Sequence, residues 1–191
     1  MKGLTKFVTV LAKVLEIFSW VGSALSAVSL VVIAIGKTAL LRYLSDIEVS
    51  SDLSVGGFSV DVSVVDPARI VRVYVIIFIV AVLVCLLMAM IFRNIYLIFK
   101  TAEGKTKFSK GRTPFQADIV RMVREIGIFS LAIPVVELIM SIIARLVIGH
   151  EVAEVAVSVD MTSIFFGLVV LCLSQFFAYG AQLQEDMEGL V

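Results

Sequence analysis

Four stretches of this chain are apolar for as long as a bilayer core is thick. Residues 17–36, 73–92 and 161–184 contain no charged side chain, and 126–148 contains only Glu137 and Arg145. A helix rises 1.5 Å per residue, so about 20 residues cross a hydrocarbon core of about 30 Å. Backbone groups in lipid must bond within their own segment, which leaves helices as the natural form for such runs. Soluble domains are about 45–50% apolar. Here 60% of 191 residues are hydrophobic, with a mean hydropathy of +1.08. The expected fold is an all-α membrane protein, one integral domain over 1–191, built as a four-helix transmembrane bundle. The basic and then apolar N-terminus reads as an uncleaved first span, because Glu16 interrupts it and apolar sequence continues to Ile35.

Orientation follows from the basic residues. Half of the 16 Lys and Arg lie in 93–124: Arg93, Lys100, Lys105, Lys107, Lys110, Arg112, Arg121 and Arg124. Basic loops stay on the cytoplasmic side. With Lys2, Lys6 and Lys13 before the first span, the bias predicts both termini inside and two outer loops. Residues 4–18 carry an apolar stripe at helical spacing (Leu4, Phe7, Val8, Leu11, Val14, Leu15, Phe18), read as an amphipathic lead-in at the inner interface. In the first span, Ser19, Gly22, Ser23, Ser26 and Ala27 are the small residues that let helices approach closely in lipid.

The first outer loop alternates with period two on both sides of Gly56-Gly57. That is a hairpin signal over 47–65. Pairing Val55 with Phe58 sets Leu53 opposite Val60 and Val49 opposite Val64, apolar against apolar. The second outer loop alternates over 155–159. A small extracytoplasmic β-hairpin or sheet cap is expected, with an acidic edge of Glu48, Asp52, Asp61, Asp66, Glu151, Glu154 and Asp160.

The third span holds the least ordinary residues. Pro134 lies in its interior, where it removes a backbone donor. Glu137 follows near mid-bilayer, where an unpartnered charge is costly and by default marks a functional site. Arg145 stands two turns on. Gln175 of the fourth span is a candidate partner at similar depth. A serine of the first span is another, and Glu137, Gln175 and first-span serines could line a polar route. In the inner loop, Arg93, Lys105, Lys107, Lys110 and Arg112 are candidates for contact with a partner or an anionic lipid headgroup. Arg121 and Glu125 can pair at i,i+4. Asp118 suits the positive end of the third helix.

Phosphate-loop, HExxH, CxxC and nucleophile-elbow motifs are missing from the sequence. One histidine does not make a zinc cluster. Two cysteines, Cys85 and Cys172, both inside apolar spans, do not make a disulfide framework. A net charge of zero brings no general attraction to nucleic acid. The chain therefore reads as non-enzymatic, without cofactor or metal, and without direct nucleic-acid binding.

The inner half has a further pattern. Arg93-Asn94-Ile95, then Gly111, then Pro114-Phe115, is followed far downstream by a phenylalanine closing the last span, Gly180, Leu183, Glu185 and a short acidic tail. This resembles the small four-span bacterial membrane proteins catalogued as domain of unknown function 2975. The resemblance implies a location in the bacterial inner membrane. It also implies a regulatory pairing with a small cytoplasmic helix-turn-helix protein. Two functions are thus expected from the sequence: a signalling or regulatory membrane protein, or a small transporter or channel subunit with its polar route at Glu137.

Overall fold

The computed structural model describes residues 2–44, 50–55, 58–63, 67–107, 115–148, 153–157 and 161–188. In chain order the elements are α1 (Lys2–Ile35), α2 (Lys37–Leu44), β1 (Ser50–Val55) and β2 (Phe58–Ser63). They continue with α3 (Pro67–Ala102), α4 (Ala117–Ile148), β3 (Ala153–Val157) and α5 (Met161–Glu188). Four helices, α1, α3, α4 and α5, are long and apolar enough to cross a membrane. That is the mark of a multi-pass membrane protein.

Each of these helices runs beyond the apolar stretch that announces it. α1 absorbs the lead-in and has 34 residues, about 51 Å at 1.5 Å per residue. α3 has 36 residues, so the basic segment expected over 93–124 shrinks to a connection over 103–116. Arg93 and Lys100 ride on α3, and Arg121 and Arg124 on α4. The reason is physical: hydropathy marks the lipid boundary, whereas helices stop where caps stop them. Pro67 opens α3 at the first helical position, where its missing N–H costs nothing. Gly104 closes it with φ 75°. The Lys105 amide donates to the Lys100 carbonyl (3.0 Å) and the Gly104 amide to the Thr101 carbonyl (3.0 Å). That pair of bonds is the Schellman motif, which uses a glycine because a side chain strains the left-handed conformation.

Helix α2 is absent from the sequence reading, which treats 37–44 simply as the start of the outer loop. Gly36 separates it from α1. The Gly36 amide still donates to Val32 (2.8 Å), and its carbonyl already accepts from Leu40 (2.9 Å).

The chain divides into two compact units. The first comprises residues 1–19, 87–132 and 161–191. Within it the inward face of α1 is Thr9, Ala12 and Glu16, all buried. The apolar stripe of the lead-in points the other way: Leu4 is 71% exposed and Phe18 69%. The reason is the solvent. Lipid accepts leucine and phenylalanine as readily as a protein interior does, so small and hydrogen-bonded side chains take the packed face. Thr9 and Ser19 satisfy their hydroxyls on the carbonyls of Thr5 (2.7 Å) and Leu15 (2.9 Å). Glu16 is held by Lys13 at 3.0 Å, and the Lys13 ammonium stands 5.0 Å from the centre of the Tyr96 ring.

The second unit comprises residues 20–86 and 133–160. Its core is Ile70, Val73, Ile77 and Val80 of α3, with Met140, Ala144 and Ile148 of α4 and Phe58 of β2. The spacing on α3 is three, four and three, one helix face. β1, β2 and β3 form an antiparallel sheet in that order. Val55 is opposite Phe58 and Leu53 opposite Val60, while Phe58 is opposite Val157. The same registers put Asp52, Asp61 and Glu154 in one row. Glu48, Val49, Val64, Asp66, Glu151, Val159 and Asp160 lie outside the described residues.

Candidate functional site

The first unit contains a cavity between α3 and α4. Its volume is about 220 Å³, and it is lined by Arg93, Asn94, Asp118, Arg121 and Glu125 together with the apolar Met90, Leu97, Met122 and Phe129. α3 supplies Arg93 and Asn94 on successive positions, so only one of them can point into the packing. Asn94 is buried and Arg93 is exposed. α4 supplies Asp118, Arg121 and Glu125 at intervals of three and four, which brings them to one helix face.

Glu125 is the organising group. One carboxylate oxygen accepts from the Asn94 amide nitrogen at 3.1 Å. The other accepts from the Arg121 Nε at 2.8 Å. The Arg121 bond is the expected i,i+4 pair. As an exposed ion pair it contributes about 0–1 kcal/mol. The Asn94 bond is different, because the amide of buried Asn94 on α3 donates to a carboxylate 31 positions away on α4. Hydrogen bonds to charged groups are worth about 1.5–3 kcal/mol. Asn94→Ala should lower the stability of the detergent-solubilised protein by an amount in that range, about 1.5–3 kcal/mol. Asn94→Asp should cost at least as much, since it sets two carboxylates face to face. Denaturant titration of the two variants measures both.

With Glu125 occupied on both oxygens, Arg93 and Asp118 are the wall groups that present opposite charges to an incoming ligand. The cavity as a whole is balanced, two guanidinium groups against two carboxylates. It suits an amphoteric or hydrogen-bonding surface rather than a highly charged anion.

Of this cluster the sequence marks Arg93 as a contact candidate, Arg121 and Glu125 as a pair and Asp118 as a helix-end charge, while Asn94 enters only through the family pattern. The available signal was an amide on the last stretch of an otherwise apolar helix, beside an arginine. Of the remaining inner-loop candidates, Lys105 pairs with Glu103 at 2.7 Å, and Lys107 is exposed. The hydrogen bond from Lys105 holds the Glu103 carboxyl below its ordinary range. Lys110 and Arg112 lie outside the described residues, as do Gly111 and Pro114. Phe115 packs its ring 5.9 Å from that of Phe177 and lies directly over Gly180, where a Cβ would meet the ring at 2.5 Å.

The intramembrane candidates separate. Glu137 is 2% exposed and lies on the packed stripe of α4, in line with Ile133, Met140 and Ala144. Ser141, fully buried, donates to the Glu137 carbonyl at 2.8 Å. Pro134 is buried as well, and α4 continues through it from Ala117 to Ile148. Arg145 is exposed. It stands eight positions from Glu137, about 12 Å along the axis, on a different face. Gln175 is also exposed. At the C-terminal end of α4, the Arg72 guanidinium reaches the Val147 carbonyl at 3.5 Å, a long contact to one of the carbonyls a helix end leaves unpaired.

Among the described residues no group of three His, Cys, Asp or Glu side chains is placed to hold a metal ion. Comparison with protein-family models, with curated proteins and with solved structures finds no match.

Proposed function

We propose that this chain is a non-enzymatic signalling or regulatory protein of the bacterial inner membrane, with both termini in the cytoplasm. It would work by contact with a cytoplasmic partner at the α3–α4 cavity. The observation that carries this reading is the ion-paired cavity itself. A part-buried Asn94–Glu125 bond ties two membrane-crossing helices together, and Arg93 and Asp118 line the same cavity. The basic residues around it favour the cytoplasmic side. The likeness of Arg93-Asn94-Ile95, Pro114-Phe115 and Gly180 to domain of unknown function 2975 suggests a small helix-turn-helix regulator as the partner. The sheet of β1, β2 and β3 would then lie on the extracytoplasmic side as a cap.

The test is mild crosslinking in native membranes, followed by purification and mass spectrometry. The expected product is a soluble DNA-binding protein joined to Lys105 or Lys107, and its yield should fall sharply in Arg93→Glu. Anionic lipid retained at the cavity with no protein attached would replace the partner by a headgroup. A product unaffected by Arg93→Glu would move the docking site elsewhere.

The burial of Glu137 favours a second reading, a small transporter or channel subunit, since buried carboxylates in spans mark ion and proton routes. It predicts proton or solute flux in vesicles that Glu137→Gln abolishes.

A further inference from the structure

One flank of α5 carries a seam with three polar members on a largely apolar outer surface. Leu168, Cys172, Gln175, Tyr179 and Gln182 are spaced by four, three, four and three, the repeat that keeps side chains along one seam of a helix pair. All five are exposed. Gln175 is the telling member. It stands 14 positions in from Met161, about 21 Å along the helix, and so within the depth of a hydrocarbon core about 30 Å thick. Among the described residues its amide has no hydrogen-bond partner. A carboxamide turned to lipid finds neither water nor protein there, which is unfavourable for a group that can make several hydrogen bonds.

We propose that this stripe is the contact between two copies of the chain, α5 packed in parallel against α5, with the two Gln175 amides bonded to each other. The occupant follows from symmetry and chemistry. Two copies inserted the same way in one membrane are related by a twofold axis along the bilayer normal, so residues on the seam meet themselves. A carboxylate or a lysine there would repel its twin. A primary amide carries both donor and acceptor and is complementary to itself. α5 has no charged residue between Met161 and Gln184 to oppose the approach. The inference is independent of the function proposed above.

The test uses the full chain in its membrane. With Cys85→Ser in the background, Cys172 is the remaining cysteine. In a parallel pair the two Cys172 residues come within the Cα separation of about 4.4–6.8 Å that a disulfide bridges. Oxidation with copper–phenanthroline should then give a disulfide-linked dimer on a non-reducing gel. Gln175→Leu, apolar and on an exposed position, should leave expression unchanged. It should lower the association constant about three- to twentyfold, the range of interhelical hydrogen bonds in membranes, and the dimer band with it. Leu173 is exposed at the same depth on the opposite flank. Leu173→Cys, made with both native cysteines removed, should stay monomeric. A monomer at every oxidant level, equal crosslinking from positions 172 and 173, a dimer indifferent to Gln175→Leu, or a link to another protein would each overturn the proposal.

Discussion

Gly167→Leu should unfold or severely weaken the first unit, and Gly127→Leu should do the same. α4 and α5 approach there until backbone meets side chain. A Cβ on Gly127 would fall 2.7 Å from the Leu171 Cγ and 3.1 Å from the Gly167 carbonyl oxygen. A Cβ on Gly167 would fall 2.8 Å from the Leu131 Cγ and 3.2 Å from the Gly127 carbonyl oxygen. The contact is reciprocal: each glycine receives the leucine that follows the other glycine by four positions. Inserting even one methyl must push a leucine at its branch point, where there is little freedom to yield. Overpacking of this kind costs about 1–3 kcal/mol, and leucine should fall at the top of that range or beyond it. Thermal unfolding in detergent reads the effect. A compensating pair sharpens it: Gly167→Ala with Leu131→Ala should be less damaging than Gly167→Ala alone, because neighbours that share one gap are not additive. Wild-type stability for Gly167→Leu would mean that the two helices do not cross at this point.

Glu137→Lys should be nearly as damaging, and Glu137→Gln far less so. The side chain is almost fully buried on α4's packed face. A lysine there brings a charge into the middle of a span at about 2.5–3.5 kcal/mol, with a longer side chain to fit. Glutamine keeps the shape and most of the hydrogen-bonding capacity, so its cost should stay within about 1 kcal/mol, that of a typical hydrogen bond. Membrane yield and detergent stability of the two variants measure this contrast. If Glu137→Gln folds as wild type, the same preparation in vesicles separates the readings of function. Lost flux assigns Glu137 to a transport route, and flux unchanged from the parent protein removes that route. A lysine variant as stable as the parent would show that Glu137 is not packed as the structure has it.

The two predictions rest on different degrees of legibility. Glu137 stands out in the sequence because a carboxylate is rare in an apolar run. The Gly127–Gly167 crossing does not stand out, since isolated glycines occur widely and these two lie 40 positions apart. Asn94 and Glu125 are similar: each is ordinary alone, and their bond exists only once α3 and α4 are side by side. Gln175 reverses the lesson. Depth alone groups it with Glu137, and the structure adds what depth does not contain, that its side chain is exposed on α5.

By itself the sequence determined the features that depend on local chemistry and on length. Runs of about 20 apolar residues set the number of crossing helices. The full extent of α3, from Pro67 to its closure at Gly104, was not legible from hydropathy, which marks only 73–92. Strand alternation around Gly56-Gly57 determined which residues of β1 and β2 face one another, because a slip of one position would reverse every side chain. Only the tertiary structure decided which side of each helix turns inward. In water the apolar face identifies itself by being hidden. In lipid, leucine gains little by leaving the bilayer for a helix interface, so close packing and polar partners choose the inner face. That is why α1 buries Thr9, Ala12 and Glu16 and leaves Leu4 and Phe18 outside.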